Sequence, residues 1–170
     1  MKKDFPKRKH PRLKNYDYSK SGAYFITICT QNRRCTLSQV VGRGLAPAET
    51  SSIKNTIFGE IAECQLLSLE KRYSTLKIDC HVIMPNHIHV VMFLDNEAAG
   101  ASPRPTIMDI VCTYKSLTTI ECKKSGHRGS LFQPSFHEHI IRNLEDYKEI
   151  VKYIAFNPKH WYHDKLYSDY

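Results

Sequence analysis

Met84-Pro85-Asn86-His87-Ile88-His89-Val90-Val91-Met92-Phe93 places two histidines around one apolar residue, inside a run of β-branched and aromatic side chains. Such a run favours a strand. Side chains alternate along a strand, so His87, His89, Val91 and Phe93 share one face. Ile88, Val90, Met92 and Leu94 make a continuous apolar face on the other side. The strand therefore buries one face and holds two imidazoles side by side on the other. Imidazoles fixed on a strand can hold a divalent metal without first ordering a loop. Alternatively, they are two polar side chains on a half-exposed strand.

Working outward, Leu76 to Met84 alternates as a partner strand, and Pro85-Asn86 turns it into the histidine strand. A two-residue turn would put Met84 and Val82 on the histidine face, which is very apolar, so a longer loop or a bulge near Pro85 is expected. Upstream, Ala23 to Thr30 is aromatic and β-branched and forms the first strand. Gln31-Asn32-Arg33-Arg34 follows as a polar turn, and Leu37 to Val41 makes a short second strand. Ser51 or Ser52 can cap a helix reaching about Arg72, with an apolar stripe at Ile53, Ile57, Ile61, Cys64 and Leu67. Downstream, Asn96 to Pro105 reads as a surface linker. Thr106 caps a helix from Ile107 to about Lys123. A strand lies within Phe132 to Arg142, and a last helix runs from Leu144 to Phe156. Pro158 stops that helix, because the residue before a proline is pushed out of helical geometry. Residues 159–170, aromatic and polar, are expected to cover an edge. Strand, helix, hairpin, helix, strand, helix is the order of an α+β domain. Its sheet is antiparallel and its helices pack mainly on one face.

The 170 residues suffice for one domain with a real core. Mean hydropathy is −0.46 and no run approaches a membrane span. The N-terminus carries no apolar segment of the signal-peptide kind, so a cytoplasmic location is expected. Six scattered cysteines without a CxxC pair read as free thiols. Lysine and arginine number 25 against 17 acids, a net charge of +8 that favours polyanions. Much of that charge lies in a basic arm, residues 1–14, either a solvated tail or a phosphate-binding segment. Residues 15–170 are then the folded domain.

The chemistry comes from the last helix. Tyr153 and Asn157 are four apart and share a face. Set against the histidine face, that helix brings His87, His89 and Asn157 together. Two imidazoles and an amide oxygen form an open set that suits Mg²⁺ or Mn²⁺ with positions left for phosphate oxygens. A phenol, with a pKa near 10, is a poor nucleophile at neutral pH, and a metal nearby favours the phenolate and polarises a phosphodiester. Attack by Tyr153 on phosphorus conserves the bond energy, which suits cutting and rejoining a strand. Tyr147 is a competing nucleophile on another part of the helix. His137 and His139 form a second His-x-His, read as an ordinary strand. Lys115 is a candidate phosphate contact.

HVIMPNHIHVVM, TYKS, FHEHIIRN and YKEIVKYIAFNP together resemble the REP-associated tyrosine transposases. These are single-tyrosine relatives of the insertion-sequence transposases that carry the His-hydrophobic-His (HUH) motif. The opening RLKNYDYSKSGAYFITICTQNR is similar to that family's first strand, so the resemblance runs from about Arg12 to Trp161. It implies a ferredoxin-like or RRM-like palm, with His87, His89 and Asn157 as metal ligands and Tyr153 as nucleophile. The implied substrate is single-stranded DNA with hairpin-forming repeats, cut to leave a 5′-phosphotyrosine and a free 3′-hydroxyl. Some relatives carry a longer C-terminal tail used on DNA. Here the contacts would fall to Lys7, Arg8, Lys9, Arg12 and Lys14 of the arm and to Arg33, Arg34, Lys115 and Arg142. The resemblance leaves monomer and homodimer open. Two other functions fit the residues: an RRM-like module that binds hairpins without cutting, and a metal hydrolase that activates water.

Overall fold

Four antiparallel strands form the central sheet: β1 (Gly22–Cys29), β4 (Leu76–Ile83), β5 (His87–Leu94) and β6 (His137–Ile141), in the order β4-β5-β1-β6. Two short strands, β2 (Ser38–Val41) and β3 (Ser52–Asn55), pair separately. The helices are α1 (Ile57–Arg72), α2 (Ile107–Lys124) and α3 (Leu144–Phe156). In this computed structural model the described residues are 13, 15–41, 52–97 and 104–169. Lys7, Arg8, Lys9, Arg12 and Lys14 lie outside them. The order β1-α1-β4-β5-α2-β6 is an α+β fold, as the pattern of elements implied, in the ferredoxin-like split βαβ arrangement that the resemblance implied. No helix among the described residues is long and apolar enough to cross a membrane.

β5 is central. It pairs with β1 from Gly22↔Leu94 to Cys29↔His87, and with β4 on its other side. Ile88, Val90, Met92 and Leu94 join Tyr24, Ile26 and Ile28 in the main core, beneath α1 and α2. Each fully buried aliphatic there contributes roughly 1.5–3 kcal/mol. The opposite face is covered too. Ile150 and Ile154 of α3 pack on Val91, with Phe25, Cys80, Val82 and Ile141 around them. Two helices thus lie on one face and the third on the other.

That second layer explains the hairpin. The turn is tight: Met84 N donates to His87 O at 2.8 Å, with Pro85 and Asn86 between. Val82 stands opposite His89. The bulge expected near Pro85 lies instead at Asp79, between Ile78 and Cys80. An apolar histidine face is tolerated because α3 removes it from water.

α2 carries a capping box, with the Thr106 side chain and Asp109 each satisfying the other's backbone N–H. α1 differs from the expected helix. Ser52 belongs to β3 and the cap is Thr56, whose side chain accepts from Gly59 N. Gly59, Ala62, Leu66 and Leu69 are buried, whereas Ile57 and Leu67 of the predicted stripe are exposed. The helix is rotated by a close backbone contact: a Cβ on Gly59 would lie 2.0 Å from Leu37 O. Thr56 Oγ1 is within donating distance of the same carbonyl, at 2.9 Å. Gly59→Ala should therefore cost about 1–3 kcal/mol in denaturant unfolding, the usual range for overpacking. An unchanged midpoint would mean that α1 does not rest on that carbonyl.

Candidate active site

Both imidazoles are buried, His87 fully and His89 at 2% exposure. Each is held at Nδ1. Asn86 Oδ1 lies 2.8 Å from His87 Nδ1, and Asn86 Nδ2 donates to Leu166 O and Ser168 Oγ. An amide oxygen only accepts, so His87 carries its proton on Nδ1 and presents a lone pair at Nε2. Thr27 Oγ1 lies 2.9 Å from His89 Nδ1, which leaves Nε2 facing the site. The two rings are 4.4 Å apart between centroids. Phe25 and Trp161 close the sides, at 5.2 Å from His89 and 5.9 Å from His87.

α3 delivers the phenol. Asn143 caps the helix by accepting from Asp146 N, and Ile150 and Ile154 seat its inner face on the sheet. Tyr153, 44% exposed, then reaches over the imidazoles, with its hydroxyl 3.3 Å from His89 Nε2. Asn157 ends the helix and is buried. A 3-10 segment, Asn157–His163, folds the tail back, with Trp161 fully buried. The tail then places Asp164 beside the site. Asp164 Oδ2 accepts from Asn157 Nδ2 at 2.7 Å and from the Tyr153 hydroxyl at 3.2 Å, and Oδ1 accepts from Leu166 N.

Burial pushes His87 down to about 4 and His89 down to about 3, the second helped by its neighbour His87. Both rings are therefore neutral near pH 7, with ligand lone pairs available. Burial works against the Asp164 carboxylate, but hydrogen bonds from Leu166 N and Asn157 hold it below its usual range. Tyr153 is pushed up to about 12, first by partial burial and then by the Asp164 charge. It is a neutral phenol near pH 7.

The donor set fits a divalent cation. His87, His89 and Asp164 each offer a ligand atom within 4.8 Å of the others. His87 Nε2 and Asn157 Oδ1 are buried with no hydrogen-bond partner among the described residues. Both are acceptors, because the donors of each side chain are used on Asn86 and Asp164. Buried acceptors left unmatched are costly, and a cation is one species that satisfies them together.

The helix thus meets the hairpin in one chain, and His87, His89, Tyr153 and Asn157 come together. Arg33, in the 3-10 turn Gln31–Arg33, is near enough for its charge to lower His87 further. Arg34 follows that turn and is exposed. Lys115 donates to Gln133 O and Pro134 O. Arg142 sits past β6, where its backbone N–H reaches Asp146. Tyr147 donates to Asp79 rather than approaching the histidines, and His139 pairs with Asp146. Sequence reasoning missed Asp164. Its only signal is an acid in a basic, aromatic tail, and the position it takes depends on how Trp161 packs.

Known proteins resemble this chain in sequence and in fold. No protein-family profile matches the sequence. A Haemophilus influenzae protein without an assigned function is 29% identical over 95% of this chain and 94% of its own. The REP-associated tyrosine transposase of Escherichia coli K12 is 29% identical over 83% of this chain and 68% of its own. The chain is a relative of the REP-associated tyrosine transposases. A solved structure of a REP-associated tyrosine transposase bound to a REP hairpin shares the fold. Its TM-score is 0.59 and its identity 22%, over 86% of this chain and 72% of that one. The relationship supports an enzyme of the transposase kind.

In this transposase relative, the Thr27 hydroxyl orients a histidine that would bind metal. Thr27→Val keeps the volume and removes that hydrogen bond. It should weaken Mn²⁺ binding about 10- to 100-fold, read by calorimetry, the range seen when such outer partners are lost.

Proposed function

We propose that the protein is a metal-dependent single-stranded DNA nicking and joining enzyme that forms a 5′-phosphotyrosine through Tyr153 at hairpin-forming repeats. One observation carries this reading: the Tyr153 hydroxyl lies 3.3 Å from His89 Nε2 and 3.2 Å from Asp164 Oδ2. A phenol has no structural need of a buried imidazole pair and a carboxylate. A hydroxyl about to lose a proton beside a cation does. The relative solved with a REP hairpin supports hairpin DNA as the substrate.

His87, His89, Asn157 and Asp164 would hold Mg²⁺ or Mn²⁺, which when bound supplies a Lewis acid for the phosphate and favours the phenolate. Asp164 is placed to take the Tyr153 proton. The phenol oxygen then bonds to phosphorus, the P–O3′ bond breaks, and the departing sugar oxygen takes a proton to become the 3′-hydroxyl. Reversal by another 3′-hydroxyl rejoins a strand. Asn157 donates to Asp164 and keeps the carboxylate turned toward the phenol. Trp161 and Phe25 wall the imidazoles from water, which strengthens electrostatic effects in the site. Because one chain supplies every group, the geometry favours cleavage in cis. Residues 15–170 would be the catalytic domain. The basic arm (Lys7, Arg8, Lys9, Arg12, Lys14) and Arg33, Arg34, Lys115 and Arg142 would supply phosphate contacts.

Incubated with a labelled single-stranded hairpin and Mn²⁺, the protein should form a denaturation-resistant protein–DNA adduct. Tyr153→Phe should abolish that adduct while DNA binding persists. An adduct that survives in Tyr153→Phe would sink the assignment, and free ends without an adduct would indicate a hydrolase. Asp164→Asn should slow adduct formation by about 10²- to 10⁴-fold, the range for losing a positioned base. An unchanged single-turnover rate would remove Asp164 from the chemistry.

A further inference from the structure

The outer side of Tyr153 opens onto a groove of about 840 Å³ between the end of α3 and the folded-back tail. Tyr153 and Phe156 line it from the helix, and they are three residues apart, hence adjacent on its surface. Phe156 is 41% exposed. The Lys159 ammonium lies 5.5 Å from the centre of the Phe156 ring. Lys152 and Lys165 also line the groove, so lysines outnumber the acids Glu149 and Asp164 there.

Aromatic rings and ammonium groups lining one groove are the chemistry that holds single-stranded nucleic acid. Bases stack on the ring while ammonium groups track the backbone. A paired base within a duplex is already stacked on its neighbours and cannot offer its face to a side chain. Tyr153 is one of its walls, so whatever lies in the groove lies beside the proposed nucleophile. Its volume is that of a ligand pocket, large enough for more than a phosphate.

We propose that this groove binds the unpaired nucleotides flanking the scissile phosphate, with one base stacked on Phe156 and the backbone neutralised by Lys152, Lys159 and Lys165. The inference rests on the strand-transfer function proposed above. It adds a subsite that selects unpaired DNA and explains why an apolar ring stands in water beside the nucleophile.

The test uses the full chain carrying Tyr153→Phe, so that no covalent product forms. A fluorescent single-stranded oligonucleotide, a hairpin with unpaired flanks, is titrated by anisotropy at several salt concentrations. Phe156→Ala should weaken binding about 5- to 100-fold, as expected for one lost stack, and Phe156→Trp should restore it. The triple variant Lys152→Gln, Lys159→Gln, Lys165→Gln should lower the salt slope by about 2, at roughly 0.7 per phosphate contact. Lys148→Gln, outside the groove on the same helix, should leave the slope unchanged. Affinity for the hairpin without flanks should not respond to Phe156→Ala. Binding by Phe156→Ala within twofold of the parent, or an equal loss on the flankless hairpin, would overturn the proposal.

The adduct assay on the protein with Tyr153 intact separates the two ideas. If adducts form but the groove variants bind as the parent does, the subsite falls and strand transfer stands. If no adduct forms and the groove variants still lose affinity, strand transfer falls and the groove stands as a single-strand site.

Discussion

The site depends on how two histidines are held at Nδ1. Asn86 fixes His87 and Thr27 fixes His89, and both bonds direct Nε2 into one small volume. Neither bond is strong alone, at about 1 kcal/mol net. Their effect is orientational: a ring rotated about Cβ–Cγ would give up its Nδ1 bond. Burial then keeps both rings neutral. The cost of burying them is spread over α3, the tail and the second face of β5. The dry layer around Val91, Ile150 and Ile154 is thus a precondition of the chemistry and not only a source of stability.

The tail belongs to the same construction. Asn86 makes one bond to His87 with its oxygen and two to the tail with its nitrogen. Ser168 adds a bond to Arg33 O, and Trp161 stacks near His87 and Tyr167. The hairpin tip, the turn after β1 and the C-terminal segment are therefore tied at one point, and Asp164 hangs from the tie. Its carboxylate is held by a backbone amide and a side-chain amide, which fixes its direction before any ligand arrives.

Much of this was legible in the sequence. Alternation in Ile88, Val90, Met92 and Leu94 identified the core face of the central strand, because period two leaves little freedom once one face must be buried. The four-residue spacing of Tyr153 and Asn157 put both on one helix face, and Pro158 bounded that helix. The α2 start was readable from Thr106, since capping is local, and Asp109 completes the cap in the structure. Three features were not legible. The buried face of α1 differs from the apolar stripe because Gly59, which carries no apolar signal, sets the rotation through contact with the Leu37 carbonyl. The bulge at Asp79 replaced the one expected near Pro85, because the burial supplied by α3 made an apolar histidine face acceptable. Asp164 stayed hidden because its position follows from a buried tryptophan and side-chain bonds to a distant turn. No periodicity encodes those. Local signals survived translation into structure, and long-range contacts between irregular segments did not.

Tyr153 shows why the missed residue matters. Its surroundings, taken as hydrogen bonds alone, oppose ionisation: partial burial and the Asp164 charge both hold the proton on. A site built only to position a phenol would not set a carboxylate against it, since that makes the nucleophile weaker. The arrangement becomes sensible if the carboxylate has two partners. A positive charge among the imidazole nitrogens would offset Asp164 and remove the repulsion that a phenolate would feel. The same carboxylate would still be 3.2 Å away to receive the proton. In the proposed reaction the phenol is thus kept protonated until cation and phosphate are both present. The buried acceptors His87 Nε2 and Asn157 Oδ1 would be satisfied by the same cation.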